Sequence, residues 1–137
     1  MPALSIRMIR TALVDLVIAL LLGAVLLTHK AIPIHPAIWM LFPLHIELAL
    51  YGWFVQFVLG VAYWIFPRFL EGAKRGNPFE GEMVYYALNT GILLVIVGVF
   101  FPTGGWITWT GRLLELLAVA LFVHLHWNRV LTYNRSK

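Results

Sequence analysis

Long apolar stretches separated by short polar segments dominate the pattern of this chain. Runs of roughly 20 apolar residues, enough to cross a hydrocarbon core as a helix, cover residues 8–28, 43–67, 83–101 and 107–128. Gly and Pro punctuate the segments between them, such as HKAIPIHPAIWMLFP and FPTGGWITWTG. The pattern predicts an all-α membrane protein whose four transmembrane helices form an up-down bundle or arc. Residues 1–137 would then be a single transmembrane domain.

The composition supports a protein whose solvent is the bilayer. Hydrophobic residues make up 61% of the chain and charged residues 12%, whereas about a quarter of the residues in a soluble domain are charged. There is no cysteine, which excludes disulfides, thiolate metal sites and cysteine nucleophiles. The apolar N-terminal segment is interrupted by Asp15 and lacks a small-x-small cleavage site after it, so we interpret it as a membrane helix.

The distribution of basic residues predicts the orientation. They concentrate at both termini and in the second connection (Arg7, Arg10, Arg68, Lys74, Arg75, Arg129, Arg135 and Lys137). The first connection has Lys30, and the third has none before Arg112. Positive residues favour the cytoplasm, so we expect a multi-pass protein of the inner or plasma membrane with both termini cytoplasmic. Trp39, Trp106 and Trp109 then lie at the outer interface. The scattered charge does not suggest a nucleic-acid surface.

The second span, PLHIELALYGWFVQFVLGVAYWIFPRF, carries polar groups that lipid disfavours. Steps of about 100° per residue divide it into faces. One stripe holds His45, Gly52, Gln56, Gly60 and Tyr63. Glu47 lies about 200° away from His45 on the same helix. Two separate polar faces are therefore predicted, and Glu47 is expected to serve packing or proton exchange away from His45.

Each of these features also has an ordinary structural explanation. A histidine at the end of a membrane helix often bonds a carbonyl or water, and small residues four apart often serve helix packing. Glu47 can cap the start of its own helix. Arg112 and Glu115 are three apart and can pair with each other.

The segment LHIELALYGWFVQFVLGVAYWIFPRF resembles the second helix of the catalytic subunit of heme–copper oxidases and nitric oxide reductases. In that family a histidine near the outer end of this helix ligates the low-spin heme, and an aromatic-rich segment ending in Pro or Pro-Arg follows. His45 and GVAYWIFPRF stand in that relation here. ALLLGAVLL, GNPFEGEMVYYALNTGILL and LLELLAVALFVHLHWNRV look like the family's first, third and fourth helices. The resemblance covers most of this chain but only part of the much larger family subunit.

Two departures from the family bear on function. The family's copper-binding histidines and high-spin heme ligand lie on later helices, which this sequence lacks, so oxygen reduction by this chain alone is not expected. The pair His124 and His126 resembles a histidine pair of a later family helix. It lies ~25 Å down the fourth span, at 1.5 Å per residue, so we place both histidines at the inner interface.

The resemblance implies a heme b bound through His45. Its plane would lie against the small-residue stripe and its propionates would meet outer-surface groups (Gly52, Gln56, Gly60, Arg112, Trp106 and Trp109). The second axial ligand stays open among His29, His35 and His45 of a second copy. The last of these implies a homo-oligomer, a dimer or trimer.

Three functions remain open at this point. The first is a small b-type heme protein for electron transfer, heme binding or gas sensing, with an unidentified redox partner. The second is a cofactor-free membrane interaction or assembly protein. The third is a copper or zinc site at the outer face built from His29, His35 and His45, since imidazoles suit both metals. No nucleophile–base or carboxylate pair occurs at helical spacing, so the chain does not suggest an enzyme acting alone.

Overall fold

The computed structural model of the protein describes residues 1–66, 77–101 and 105–135, and every regular element in these ranges is helical. The elements are α1 (Ala3–Ala31), a 3₁₀ turn (Pro36–Met40), α2 (Leu41–Glu47), a π-helical segment (Leu48–Val55), α3 (Gln56–Ile65), α4 (Pro78–Val99) and α5 (Gly105–Arg135). The 3₁₀ turn through α3 forms one rod, Pro36–Ile65, here called the second span. This confirms the predicted all-α class.

Four of these helical units are long and apolar enough to cross a membrane: α1, the second span, α4 and α5. The predicted number of membrane helices is therefore confirmed for the described part of the chain. α1 begins at Ala3 and α4 at Pro78, in each case five residues earlier than the apolar runs indicate. The predicted end of the second span at residue 67 lies outside the described residues.

The second span also begins earlier, because a capped 3₁₀ turn precedes the apolar run. Pro36 occupies its first position, where a missing N–H costs nothing. The His35 ring accepts a hydrogen bond from the Ala37 N–H at 3.2 Å. His45 consequently lies nine residues after Pro36, the first residue of the span. α4 starts in the same way, with the Asn77 side chain accepting from the Phe79 N–H at 3.1 Å.

The four units pack as a bundle. α1 runs along the second span, α4 runs along α5, and the second span also contacts α4. All four contribute to one hydrophobic cluster: Leu4, Met8 and Ala19 from α1; Leu48, Leu59 and Tyr63 from the second span; Val84, Leu88 and Ile92 from α4; and Ala118, Phe122 and Leu125 from α5.

The surface of the bundle is apolar and its interior contains buried polar groups. Many large apolar side chains are exposed, among them Val17, Leu20 and Leu21 on α1. Among the residues whose burial the structure describes, the buried polar and charged ones are Ser5, His29, Glu47, Gln56, Glu115 and His126. This inside-out distribution fits a lipid environment, where exposed leucines are at no disadvantage and polar groups need internal partners.

The structure contains no bilayer, so the side on which the termini lie stays a prediction. Several of the basic residues behind it (Arg68, Lys74, Arg75 and Lys137) lie outside the described residues.

Candidate functional site

His45 is held against α1 by its ring. Nδ1 lies 2.8 Å from the backbone oxygen of Ala19. The ring packs closely against Gly23, where an added Cβ would lie 2.9 Å from Cε1 and 3.3 Å from Nδ1. A backbone carbonyl only accepts hydrogen bonds, so Nδ1 carries the proton in this contact. In the neutral ring, Nε2 then carries the lone pair.

An apolar groove of about 570 Å³ runs beside this ring, between α1 and the N-terminal part of the second span. Its lining is Leu20, Gly23, Ala24, Leu26, Leu27, Lys30, Trp39, Phe42 and His45. Within this lining, His45 supplies an imidazole and Lys30 supplies a cation. Such a volume lies within the usual ~300–1,000 Å³ of small-molecule and cofactor sites.

The small-residue stripe below His45 is covered by α1. An added Cβ on Gly52 would meet the Asp15 carboxylate at 2.9 Å, and one on Gly60 would meet the Met8 Cβ at 3.0 Å. The structure thus uses these glycines for close helix packing, the alternative that their spacing left open, and α1 stands where a cofactor plane was expected.

Gln56 is completely buried in the same interface. Its amide nitrogen donates to the Met8 carbonyl at 3.4 Å, and its oxygen accepts from Asn89 at 2.7 Å. Asn89 also donates to the Tyr85 carbonyl at 2.8 Å. Gln56 therefore ties α1, the second span and α4 together.

His29, in the last turn of α1, and His35, which precedes the 3₁₀ turn, form local contacts. The His29 ring accepts from the Ile34 N–H at 3.0 Å and lies edge-on to Trp39, with ring centroids 5.5 Å apart. His35 caps the 3₁₀ turn. Within residues 1–66, 77–101 and 105–135, no three His, Cys, Asp or Glu side chains are grouped to hold a metal ion. The structure therefore does not bring His29, His35 and His45 together.

A second polar site forms where the second span meets α5. Arg112 Nη2 lies 2.7 Å from Glu47 Oε2, and Nη1 lies 2.8 Å from Glu115 Oε2. Its guanidinium also stacks over the Tyr51 ring, 5.0 Å from the centroid. Both carboxylates are buried, whereas the Arg112 side chain is 40% exposed. We call these three charged residues the acid–arginine cluster.

Two glycines allow α4 and α5 to approach closely beside this cluster. An added Cβ on Gly91 would lie 2.8 Å from both Glu115 Cγ and the Gly111 carbonyl. One on Gly111 would lie 2.7 Å from the Gly91 carbonyl. The Glu115 side chain of α5 therefore packs against the backbone of α4 at Gly91.

His45 and Glu47 contact different helices, as the angle between them indicates. His45 turns to α1 and Glu47 to α5. Arg112, expected to meet propionates, points to the two carboxylates instead, while Trp106 and Trp109 are exposed at the start of α5.

His124 is exposed in the C-terminal half of α5. His126 is buried, and its Nδ1 lies 2.8 Å from the Phe122 carbonyl. The His126 ring stacks on Phe122, with centroids 4.1 Å apart, and meets Tyr63 edge-on. His126 therefore belongs to an aromatic cluster inside the bundle, and its place at the inner membrane interface stays a prediction.

Sequence reasoning missed Ala19 and Gly23, which hold the His45 ring, and the link from Glu47 to Arg112. Gly23 carried a signal, since a glycine inside an apolar helix often marks close packing. No local pattern in the sequence identifies Arg112 as the partner of Glu47, because Arg112 lies on a different helix far along the chain.

No protein-family model, curated protein or solved structure matches the chain. Its class follows from the fold: an all-helical protein with four helices suited to crossing a membrane. Neither the fold nor the comparisons assign an activity to the protein, so its function is proposed from the geometry of the site.

Proposed function

We propose that this protein binds a b-type heme through His45, in the groove between α1 and the second span. The Nδ1–Ala19 hydrogen bond carries the proposal. Metal-binding histidines almost always donate their other ring N–H to a carbonyl, carboxylate or water, which fixes the tautomer and the ring orientation. His45 has this arrangement, and Nε2 has no hydrogen-bond partner among the described residues.

The groove suits a large apolar ring bearing carboxylates. Leu20, Leu26 and Phe42 provide apolar walls. Lys30, exposed at the outer end of α1, is placed to pair with a propionate. This differs from the expected position of the cofactor, since α1 covers the small-residue stripe and Arg112 is engaged by two carboxylates. The sequence resemblance of the segment around His45 to the oxidase helix supports the same ligand.

The groove opens on the outside of the bundle, so a second copy of the chain can complete the site. A homo-oligomer would then supply His45 of the second copy as the other axial ligand. Heme with two histidine ligands favours electron transfer, and an open position favours binding of a diatomic gas. We place the site in the outer half of a multi-pass plasma-membrane protein with cytoplasmic termini.

An absorption spectrum of the detergent-purified protein, with and without added heme, tests the proposal. The wild type should show a Soret band and, on reduction, resolved α and β bands. His45→Ala should lose the Soret band. His124→Ala is the matched control, because His124 is an exposed histidine on α5, and it should keep the wild-type spectrum.

Helix content by circular dichroism should be equal in the three proteins. A wild type that takes up no heme, or a folded His45→Ala variant that keeps full heme occupancy, would contradict the proposal.

A further inference from the structure

A basic recess of about 450 Å³ lies beside the first turns of α1. Its lining is Ala3, Ile6, Arg7, Arg10 and Thr11. These residues follow one another at spacings that place them on one face of a helix. Two guanidinium groups, three residues apart, therefore border the same space, and that space is separate from the groove beside His45.

Contacts with α4 fix the position of Arg7. Its Nη2 pairs with Glu82, and its guanidinium lies over Tyr85 and Tyr86, 4.8 Å and 5.8 Å from the ring centroids. The Tyr85 hydroxyl lies 3.1 Å from Thr11 Oγ1, so this ring is itself held against α1. Arg7 therefore forms a wall of the recess in a set orientation, and Glu82 balances its charge.

The charge of Arg10 is not balanced in the same way. Arg10 is exposed, and it forms no hydrogen bond or ion pair with any residue that the structure describes. The nearest acid along α1, Asp15, packs against Gly52 of the second span. Because arginine stays protonated in proteins, the recess has a net positive charge. The guanidinium also offers five N–H donors in a planar fork that matches the oxygens of a phosphate.

An exposed apolar surface continues from the recess along the same helix. Leu13, Val14 and Val17 follow Arg10 by three, four and seven residues, so they lie on the same face. All three are exposed, and they lie farther from the end of the membrane-spanning helix than Arg10 does. A free cation at the end of an apolar strip matches a ligand with an anionic head and hydrocarbon chains better than it matches a water-soluble anion.

We propose that this recess binds the phosphate headgroup of an anionic membrane lipid such as phosphatidylglycerol. Arg10 is the principal phosphate ligand, Arg7 forms the wall beside it, and the acyl chains lie along Leu13, Val14 and Val17. Basic pockets of transmembrane helices bind anionic lipid headgroups through the same chemistry. The net positive charge favours a headgroup of net negative charge over a zwitterionic one. The site does not involve His45, so it is independent of the heme proposal.

Native mass spectrometry of the full-length protein, stripped of lipid in an uncharged detergent, counts the lipids that bind. The wild type should bind one phosphatidylglycerol per chain more tightly than phosphatidylcholine with the same acyl chains. Arg10→Gln should weaken binding of phosphatidylglycerol roughly fivefold, the effect of one arginine near an anionic lipid, and should leave binding of phosphatidylcholine unchanged. Lys30→Gln is the matched control, because it removes an exposed cation from the other end of α1. It should bind phosphatidylglycerol as the wild type does.

Equal binding of the two lipids by the wild type overturns the proposal and means that Arg10 only extends into water. An equal loss in Arg10→Gln and Lys30→Gln also overturns it, because binding would then follow net charge and not the recess. Inorganic phosphate alone should neither bind nor displace the lipid. Displacement of phosphatidylglycerol by phosphate would assign the recess to a free anion, against the proposal. The preference of the wild type between the two lipids decides even if circular dichroism shows that Arg10→Gln does not fold.

Discussion

At the scale of single residues, the geometry of His45 depends on a neighbour without a side chain. Gly23 lets the imidazole pack closely against α1, and that position brings Nδ1 to the Ala19 carbonyl. Ring orientation matters for a metal ligand because the lone pair points in one direction only, and a displaced ring points it elsewhere.

Gly23→Ala should weaken heme binding without removing the ligand. The new Cβ would lie 2.9 Å from Cε1, so the ring has to move away from Ala19 and lose its hydrogen bond. A loss of about 1.4 kcal/mol corresponds to a tenfold weaker affinity, and we expect an effect of this order in a heme titration. Gly105→Ala is the control, since an added Cβ there has nothing within 4 Å. Equal affinities for both variants would show that Gly23 does not position the ring.

At the scale of helices, the contact between α4 and α5 depends on backbone touching backbone. At Gly111, an added Cβ would lie 2.7 Å from the Gly91 carbonyl and 3.0 Å from the Val95 nitrogen. Neither atom can move without separating the two helices. Close approach of small residues is a main source of helix association in membranes, where the hydrophobic effect does not drive it.

Gly111→Ala should therefore destabilise the bundle. Overpacking of this kind typically costs about 1–3 kcal/mol, and unfolding by sodium dodecyl sulfate, followed by circular dichroism, would measure the loss. Gly105→Ala, on the same helix, should unfold at the wild-type concentration of detergent. A Gly111→Ala variant as stable as that control would mean that the helices can adjust at no cost.

At the scale of the whole molecule, four crossings imply that both termini lie on the same side of the membrane. The excess of basic residues at the termini and in the second connection predicts that this side is cytoplasmic. Phe79 at the start of α4 and Gly105 at the start of α5 are both exposed and report on opposite sides.

An impermeant maleimide should label Gly105→Cys in intact cells and Phe79→Cys only after permeabilisation. The chain has no cysteine of its own, so each label reports one position. The opposite pattern would reverse the orientation and place the His45 groove on the cytoplasmic side. Labelling of both positions in intact cells would rule out the membrane crossing by α4.

Local properties of the sequence were sufficient to predict the number of membrane helices and the all-α class of the fold. Whether a segment crosses a bilayer depends on the length of its apolar run, because lipid offers no hydrogen bonds to an unfolded backbone. The sequence also predicted that His45 and Glu47 lie on different faces of the second span, because both lie within two turns of one helix and helical periodicity alone sets the angle between them.

The tertiary structure decided which groups meet. The spacing of Gly52 and Gly60 was compatible with packing against a cofactor or against another helix. In the structure, α1 packs against both glycines. For Arg112 the sequence left open contact with propionates or a pair with Glu115. The structure shows the pair with Glu115, and it adds Glu47 from the second span as a second partner. Such contacts depend on the three-dimensional neighbours of each helix face, and helical periodicity within one span contains no information about its neighbours.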